Sequence, residues 1–132
     1  MRRNFLPVLG LLSLFVLGSC SAERDPKIAS LKHAIGVADS QLLDAAAQLD
    51  TTNCFPRSLM PKFRAVNAKD WTSGFFPGSL WQCYRFTGDE KLLAEAKKYT
   101  DRLEGIQYYK GTHDLGFMVF CSFGQQMETL HD

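Results

Sequence analysis

Residues 77–106 read PGSLWQCYRFTGDEKLLAEAKKYTDRLEGI, and their spacing decides the class of fold. Pro77 and Gly78 open a helix in which Leu80, Trp81 and Tyr84 share a face. Thr87-Gly88-Asp89 closes that helix and caps the next, with Thr87 and Glu90 at capping-box spacing. In the following run Leu92, Ala96, Tyr99 and Leu103 form an inward stripe, Lys and Glu face outward, and Gly105 is a stop. Upstream, Ile28, Leu31, Ile35, Ala38, Leu42, Ala45 and Leu49 recur at alternating spacings of three and four, which predicts a long amphipathic helix. Asn53-Cys54-Phe55-Pro56 ends it. No stretch alternates as a half-buried strand does, so the chain reads as all-α.

The 132 residues, 45% apolar and 12% aromatic, have the composition of a globular protein and the length of at most one ordinary domain. Lysine and arginine number 15 against 14 acidic residues, so no broad field favours nucleic acid or an anionic membrane. Nucleic acid is therefore not an expected partner.

MRRNFLPVLGLLSLFVLGSC, residues 1–20, reads as an export signal: a basic start at Arg2 and Arg3, an apolar stretch from Phe5 to Leu17, then small residues. The stretch is shorter than the ~20 residues of a spanning helix, and Pro7 and Gly10 interrupt it. Leu17-Gly18-Ser19-Cys20 is similar to a bacterial lipobox, which makes Cys20 the lipidated N-terminus of an envelope protein, in the periplasm or at the cell surface. An ordinary signal peptide with an incidental cysteine is the alternative. Residues 21–27 follow as a polar tether, so any membrane attachment is through the lipid alone. Cys54, Cys83 and Cys121 have neither CxxC nor histidine-rich spacing, so a metal site is not expected. Cys83 and Cys121 lie in apolar contexts and read as small core residues.

Between the first and second helices, PRSLMPKFRAVNAKD (residues 56–70) has two prolines and no sustained period, and it reads as a long loop. Its Arg57, Lys62 and Arg64 suit either an anionic ligand or solvent. Downstream, GTHDLGF (residues 111–117) sets His113 and Asp114 at the threshold of an apolar run. Thr112 or Asp114 suits the cap of a helix beginning near Leu115, and the same carboxylate suits chemistry. The segment KDWTSGFFPG (residues 69–78) crowds two glycines, a proline and three aromatics together at a helix start. Such rings serve equally as a platform for the apolar face of a sugar or as a core plug.

Four segments, in this order, carry a resemblance: FPRS (residues 55–58), DWTSGFFPGSLW (70–81), YRFTGD (84–89) and HDLGFM (113–118). Together they resemble the unsaturated glucuronyl hydrolases, glycoside hydrolase family 88, over most of the chain from Leu31 to about Gly124. DWTSGFFPG and HDLGF are fairly specific to that family, whereas TGD before a leucine-rich helix is shared by many helical barrels.

The resemblance implies an (α/α)6 barrel of twelve helices that acts on 4,5-unsaturated uronic acids at the non-reducing end of polysaccharide-lyase products. Its reaction hydrates the C4=C5 vinyl ether, and the resulting hemiketal opens and expels the neighbouring sugar. Two aspartates serve it. Asp114 matches the first in chain order, with His113 beside it, and Trp71 matches the aromatic lining the sugar subsite. No cofactor is implied. The second aspartate, the family's general acid and base, lies farther downstream than this chain extends. Twelve helices also require on the order of 200 residues or more, and about four fit here. Residues 28–132 are therefore expected to be an N-terminal portion of such a barrel, inactive alone and prone to associate through uncovered apolar faces. A helical glycan-binding surface lipoprotein without chemistry is the competing reading.

Overall fold

The computed structural model describes residues 25–58 and 62–131. The export signal with Cys20, and residues 21–24 of the segment read as a tether, lie outside the described residues.

The first helix, α1, spans Pro26–Gln48. Asp25 caps it by accepting from the Lys27 N–H, and Pro26 sits at the start, where its missing N–H costs nothing. The helix therefore begins inside the segment read as a tether. Of the predicted stripe Leu49 is buried and Leu42 and Ala45 are half-buried, while Ile28 and Leu31 are exposed; Ala46, next to the stripe, is the buried residue of the helix itself.

Residues 56–70 depart from the long-loop reading. Two short strands, β1 (Phe55–Ser58) and β2 (Arg64–Val66), pair antiparallel with Phe55 opposite Val66. Strands of three and four residues with a proline and a register irregularity leave no periodic signal, which is why the sequence reads as irregular. Phe55, fully buried against Tyr99, anchors the pair to the helices.

The helices α2 (Phe75–Thr87) and α3 (Glu90–Asp101) form a hairpin joined by Gly88-Asp89. Gly88 has φ 69°, the left-handed C-terminal cap position that favours glycine, and its N–H donates to the Tyr84 carbonyl at 2.7 Å. Two details differ from the expected boundaries. The backbone winds into α2 at Phe75, ahead of Pro77. Asp89, not Thr87, caps α3 by accepting from the Lys91 N–H; Thr87 lies in the last turn of α2, where its hydroxyl donates to the Cys83 carbonyl and accepts the Asp89 N–H at 3.3 Å.

Of the inward stripes predicted for this hairpin, Leu80, Trp81, Leu92, Ala96, Tyr99 and Leu103 are closed to solvent and Tyr84 is half-buried against the core. Trp81 Nε1 donates to Thr100 Oγ1 at 2.9 Å, and Tyr99 Oη donates to the Ala46 carbonyl at 3.2 Å, so the large polar-tipped rings keep partners inside the core. Arg102 lies over the Tyr99 ring at 4.1 Å and donates to the Asp50 carbonyl at 3.1 Å, fastening the end of α1 to α3.

A single-turn 3-10 helix at Ile106–Tyr108 leads to a composite last helix: α4 (Leu115–Val119), a π-helical turn (Phe120–Gly124) and α5 (Gln125–Leu130). It packs across α2, with Met118 and Ser122 buried. Counting this composite as one, four helical units dominate the described residues, and the fold is all-α with a small β appendage.

Candidate functional site

The two motif segments meet because of glycine. Gly74 and Gly78 stand four apart at the start of α2, on one face of the helix. A Cβ built on Gly74 would lie 2.4 Å from the Met118 carbonyl oxygen, and one on Gly78 would lie 2.5 Å from that of Cys121. Backbone thus touches backbone, and the HDLGFM segment lies directly on the DWTSGFFPG segment.

That contact sorts the aromatics. Phe76 turns inward and packs 4.7 Å from the Tyr99 ring, as a core plug would. Trp71 and Phe75 turn outward and stay 42% and 39% exposed, and Phe117 of α4 joins them at 50%. The ring centroids are 5.9 Å apart for Trp71 and Phe75, 6.4 Å for Trp71 and Phe117, and 5.9 Å for Phe75 and Phe117. Both readings of the segment therefore hold, for different residues. Three half-exposed rings in mutual contact make an apolar platform of the size a sugar ring covers.

Asp114 immediately precedes α4, one turn before Phe117. Its carbonyl accepts the Phe117 N–H at 2.9 Å, but its carboxylate makes no capping hydrogen bond to the helix. Instead Oδ2 accepts from the Thr112 hydroxyl at a long 3.4 Å, and Oδ1 lies 3.5 Å from His113 Nε2. Thr112 Oγ1 in turn accepts the Asp114 N–H at 3.0 Å. The capping role open in the sequence is thus not the one the side chain performs, and the carboxylate keeps capacity for a ligand. His113 is almost wholly exposed.

Asp70 is a contrasting carboxylate. Oδ1 accepts the Thr72 N–H at 3.0 Å and the Thr72 hydroxyl at 2.6 Å, and Oδ2 accepts Arg57 Nη1 at 2.6 Å. Burial would push its carboxyl up, but the Thr72 hydrogen bonds and the Arg57 guanidinium together hold it below the usual carboxylate range. A group so saturated is a poor proton donor. Arg57, read from sequence as a loop cation facing a ligand or solvent, is thus an internal partner, with its guanidinium 6.0 Å from the Trp71 ring.

A cavity of about 950 Å³ lies between α1, α2 and the π-helical turn. It borders the platform through Arg57 and Phe75, but Trp71, His113 and Asp114 do not line it. Its walls are mainly apolar, including Leu42, Phe63 and Phe120, with Asp44 and Arg57 among the polar residues.

Cys83 and Cys121 line this cavity and are half-buried rather than core residues; they and Cys54 are free thiols. Burial, reinforced by a hydrogen bond to Asp39 and its charge, pushes the Cys83 thiol up to about 11. The carboxylates and thiols otherwise lie apart: among the described residues no three His, Cys, Asp or Glu side chains converge as metal ligands would. No described helix is long and apolar enough to cross a membrane. At pH 8 the thiolate of Cys83 should be about a hundredfold scarcer than that of a thiol at its ordinary value. Iodoacetamide labelling followed by peptide mass analysis should show Cys83 modified on the order of a hundredfold more slowly than a free cysteine; equal rates would contradict its buried placement.

No family model matches the chain. It is 46% identical over 79 residues to an unsaturated glucuronyl hydrolase of Formosa agariphila, a match covering 58% of this chain and 20% of the relative. A second unsaturated glucuronyl hydrolase, from a Bacillus species, is 39% identical over 60 residues, 40% of this chain and 15% of that one. The crystal structure of an unsaturated glucuronyl hydrolase specific for heparin superposes with a TM-score of 0.63 at 40% identity, over 74% of this chain and 28% of that one. In sequence and in fold, this chain matches part of an unsaturated glucuronyl hydrolase. Its helices are accordingly a portion of an (α/α)6 barrel, and the chain spans about a fifth of the length of the curated hydrolases it matches.

The sequence singled out Trp71, His113 and Asp114, and the structure brings Trp71 to the helix that Asp114 precedes. Phe75 entered only as one of the three aromatics of KDWTSGFFPG, and Phe117 was not singled out. Their signal was available: Trp71 and Phe75 are four apart, and Phe117 lies one turn from Asp114.

Proposed function

We propose that this chain carries part of the active site of a glycoside hydrolase that removes 4,5-unsaturated glucuronic acid from the non-reducing end of polysaccharide-lyase products. The reading rests on one observation above the rest. The Asp114 carboxylate is spared from helix capping within the same packed unit as the Trp71, Phe75 and Phe117 platform.

In this reading the platform takes the apolar face of the unsaturated ring, and His113 and Asp114 meet its polar edge. Protonation at C4 leaves positive charge on C5 and the ring oxygen. Water then adds at C5, and the hemiketal opens with loss of the neighbouring sugar. The Asp114 carboxylate beside the ring stabilises that developing charge and holds hydroxyl groups in register. The acid and base for C4 and C5 would be a second aspartate, which this reading does not assign among the described residues. Export and lipid attachment at Cys20 belong to the same proposal, since they would place the enzyme in the cell envelope, where lyase products arrive.

The test places residues 31–124 of this chain in a chimera, in exchange for the equivalent part of the heparin-specific hydrolase. Unsaturated disaccharide is supplied, and loss of the 4,5-unsaturated chromophore is followed. Turnover supports the reading. A folded chimera that binds the disaccharide without consuming it would instead favour a carbohydrate-binding role.

A further inference from the structure

The Arg57–Asp70 pair is not needed to hold the core, since neither side chain is fully buried; they are 28% and 18% exposed. Its position is what calls for an account. Arg57 comes from β1, thirteen residues before Asp70 in the chain. Asp70 is the residue immediately before Trp71, and its other oxygen is tied to the Thr72 N–H and hydroxyl immediately after Trp71. The backbone on both sides of the indole is thus pinned by one carboxylate, and that carboxylate is pinned by Arg57.

The same guanidinium stands 6.0 Å from the indole ring, on the edge of the range for a cation over an aromatic face, so its direct attraction is weak. Its main effect is restriction. On the remaining sides Phe75 meets Trp71 at 88° and Phe117 meets it at 61°, both edge-on. A half-exposed tryptophan in a loop would ordinarily sample several rotamers. This one is enclosed by a charge-assisted clamp and two rings.

We propose that Arg57 and Asp70 are positioning residues that hold Trp71 in the orientation the sugar requires, an inference that rests on the carbohydrate reading of the platform. Neither residue touches the reacting atoms. Asp70 is engaged by Thr72 at Oδ1 and by Arg57 at Oδ2, and Arg57 acts through Asp70 and Trp71.

The chain has two tryptophans, and the other, Trp81, is fully buried, which supplies an internal control. The 132-residue chain labelled with 5-fluorotryptophan gives two fluorine resonances, assigned with Trp71→Phe. Arg57→Ala and Asp70→Asn are expected to shift and broaden the Trp71 resonance and leave that of Trp81 in place. Arg57→Lys, which keeps the charge without the planar fork, should give an intermediate shift. Acrylamide quenching of Trp71 should rise in the same order. If either of the first two variants unfolds, shown by loss of the Trp81 resonance, Arg57→Lys decides. A Trp71 resonance that stays in place in every folded variant overturns the clamp.

Titration with an unsaturated uronide disaccharide separates this inference from the functional one. The Trp71 resonance should move on binding, with affinity about tenfold weaker in Arg57→Ala because the ring is no longer held in place beforehand. A clamp that responds to mutation while the saccharide moves neither resonance would leave the clamp standing and remove the carbohydrate reading. Saccharide binding with equal affinity in wild type and Arg57→Ala would overturn the positioning role.

Discussion

Replacing Asp114 with Asn is expected to leave the fold intact and to lower turnover of an unsaturated disaccharide by about two to four orders of magnitude. The structural half follows from what the side chain touches. Its carboxylate contributes no cap to α4, and its two contacts, at 3.4 Å to Thr112 and 3.5 Å to His113, are too long to hold much stability. Asn retains an acceptor for Thr112 and suits a helix start as well as Asp does. The catalytic half follows from charge. If Asp114 stabilises positive charge developing at C5, an amide of the same shape supplies a dipole where an anion is required, and losses of ~10²–10³ are usual for removing one such group. Acid–base participation would deepen the loss towards ~10⁴. The experiment uses the chimera with the heparin-specific hydrolase, reading chromophore loss together with the far-ultraviolet circular dichroism. Near-normal turnover in a folded Asp114→Asn variant would remove the carboxylate from the mechanism and leave it only its contacts with Thr112 and His113.

How far the sequence reaches is clearest from the pairs of residues it joins or fails to join. α1 and the α2–α3 hairpin were legible because their stripes repeat every three or four residues; in α3 that spacing is the burial pattern itself, with Leu92, Ala96, Tyr99 and Leu103 closed to solvent, whereas the start of the α1 stripe, Ile28 and Leu31, is exposed. Boundaries moved by a few residues where capping decided them, as with Asp89 taking the α3 cap while Thr87 stays in the last turn of α2. The β1–β2 pair left no trace, because strands this short are fixed by what they pack against, here Phe55 on Tyr99. Within the site, Trp71, His113 and Asp114 were marked by residue type. Their assembly was not marked. Arg57 finds Asp70 thirteen residues on, and Phe117 finds Trp71 across forty-odd intervening residues, and neither relation has a period in the sequence. The glycines of DWTSGFFPG were visible as crowding, but the backbone they admit lies in another segment of the chain.

Those glycines carry the second large expectation. Gly74→Ala should destabilise the chain by about 1–3 kcal/mol or more and displace Phe117 from Trp71, whereas Gly116→Ala should be neutral or slightly stabilising. The comparison holds residue type and substitution constant and changes only the neighbours. At Gly74 the added methyl would sit 2.4 Å from the Met118 carbonyl oxygen, 2.5 Å from that of Phe117 and 2.8 Å from the Met118 Cα, all backbone atoms that no rotamer can move aside. The helix must shift by the better part of an ångström, which is the overpacking penalty. At Gly116, inside α4, nothing lies within 4 Å and the backbone is not left-handed, so alanine brings only its helix preference, worth up to about 1 kcal/mol. Denaturant midpoints give the stability difference, and the 5-fluorotryptophan resonance of Trp71 reports the displaced ring. The displacement reaches function because Gly74 sets the distance between the segment bearing Trp71 and Phe75 and the helix that follows Asp114. A misplacement of about 1 Å between a binding surface and a reacting group costs on the order of a hundredfold in rate. Gly74→Ala in the chimera should therefore lose turnover beyond what its unfolded fraction explains. Equal stability and equal Trp71 spectra for the two variants would mean that α2 and α4 do not meet backbone to backbone, and the platform would need another origin.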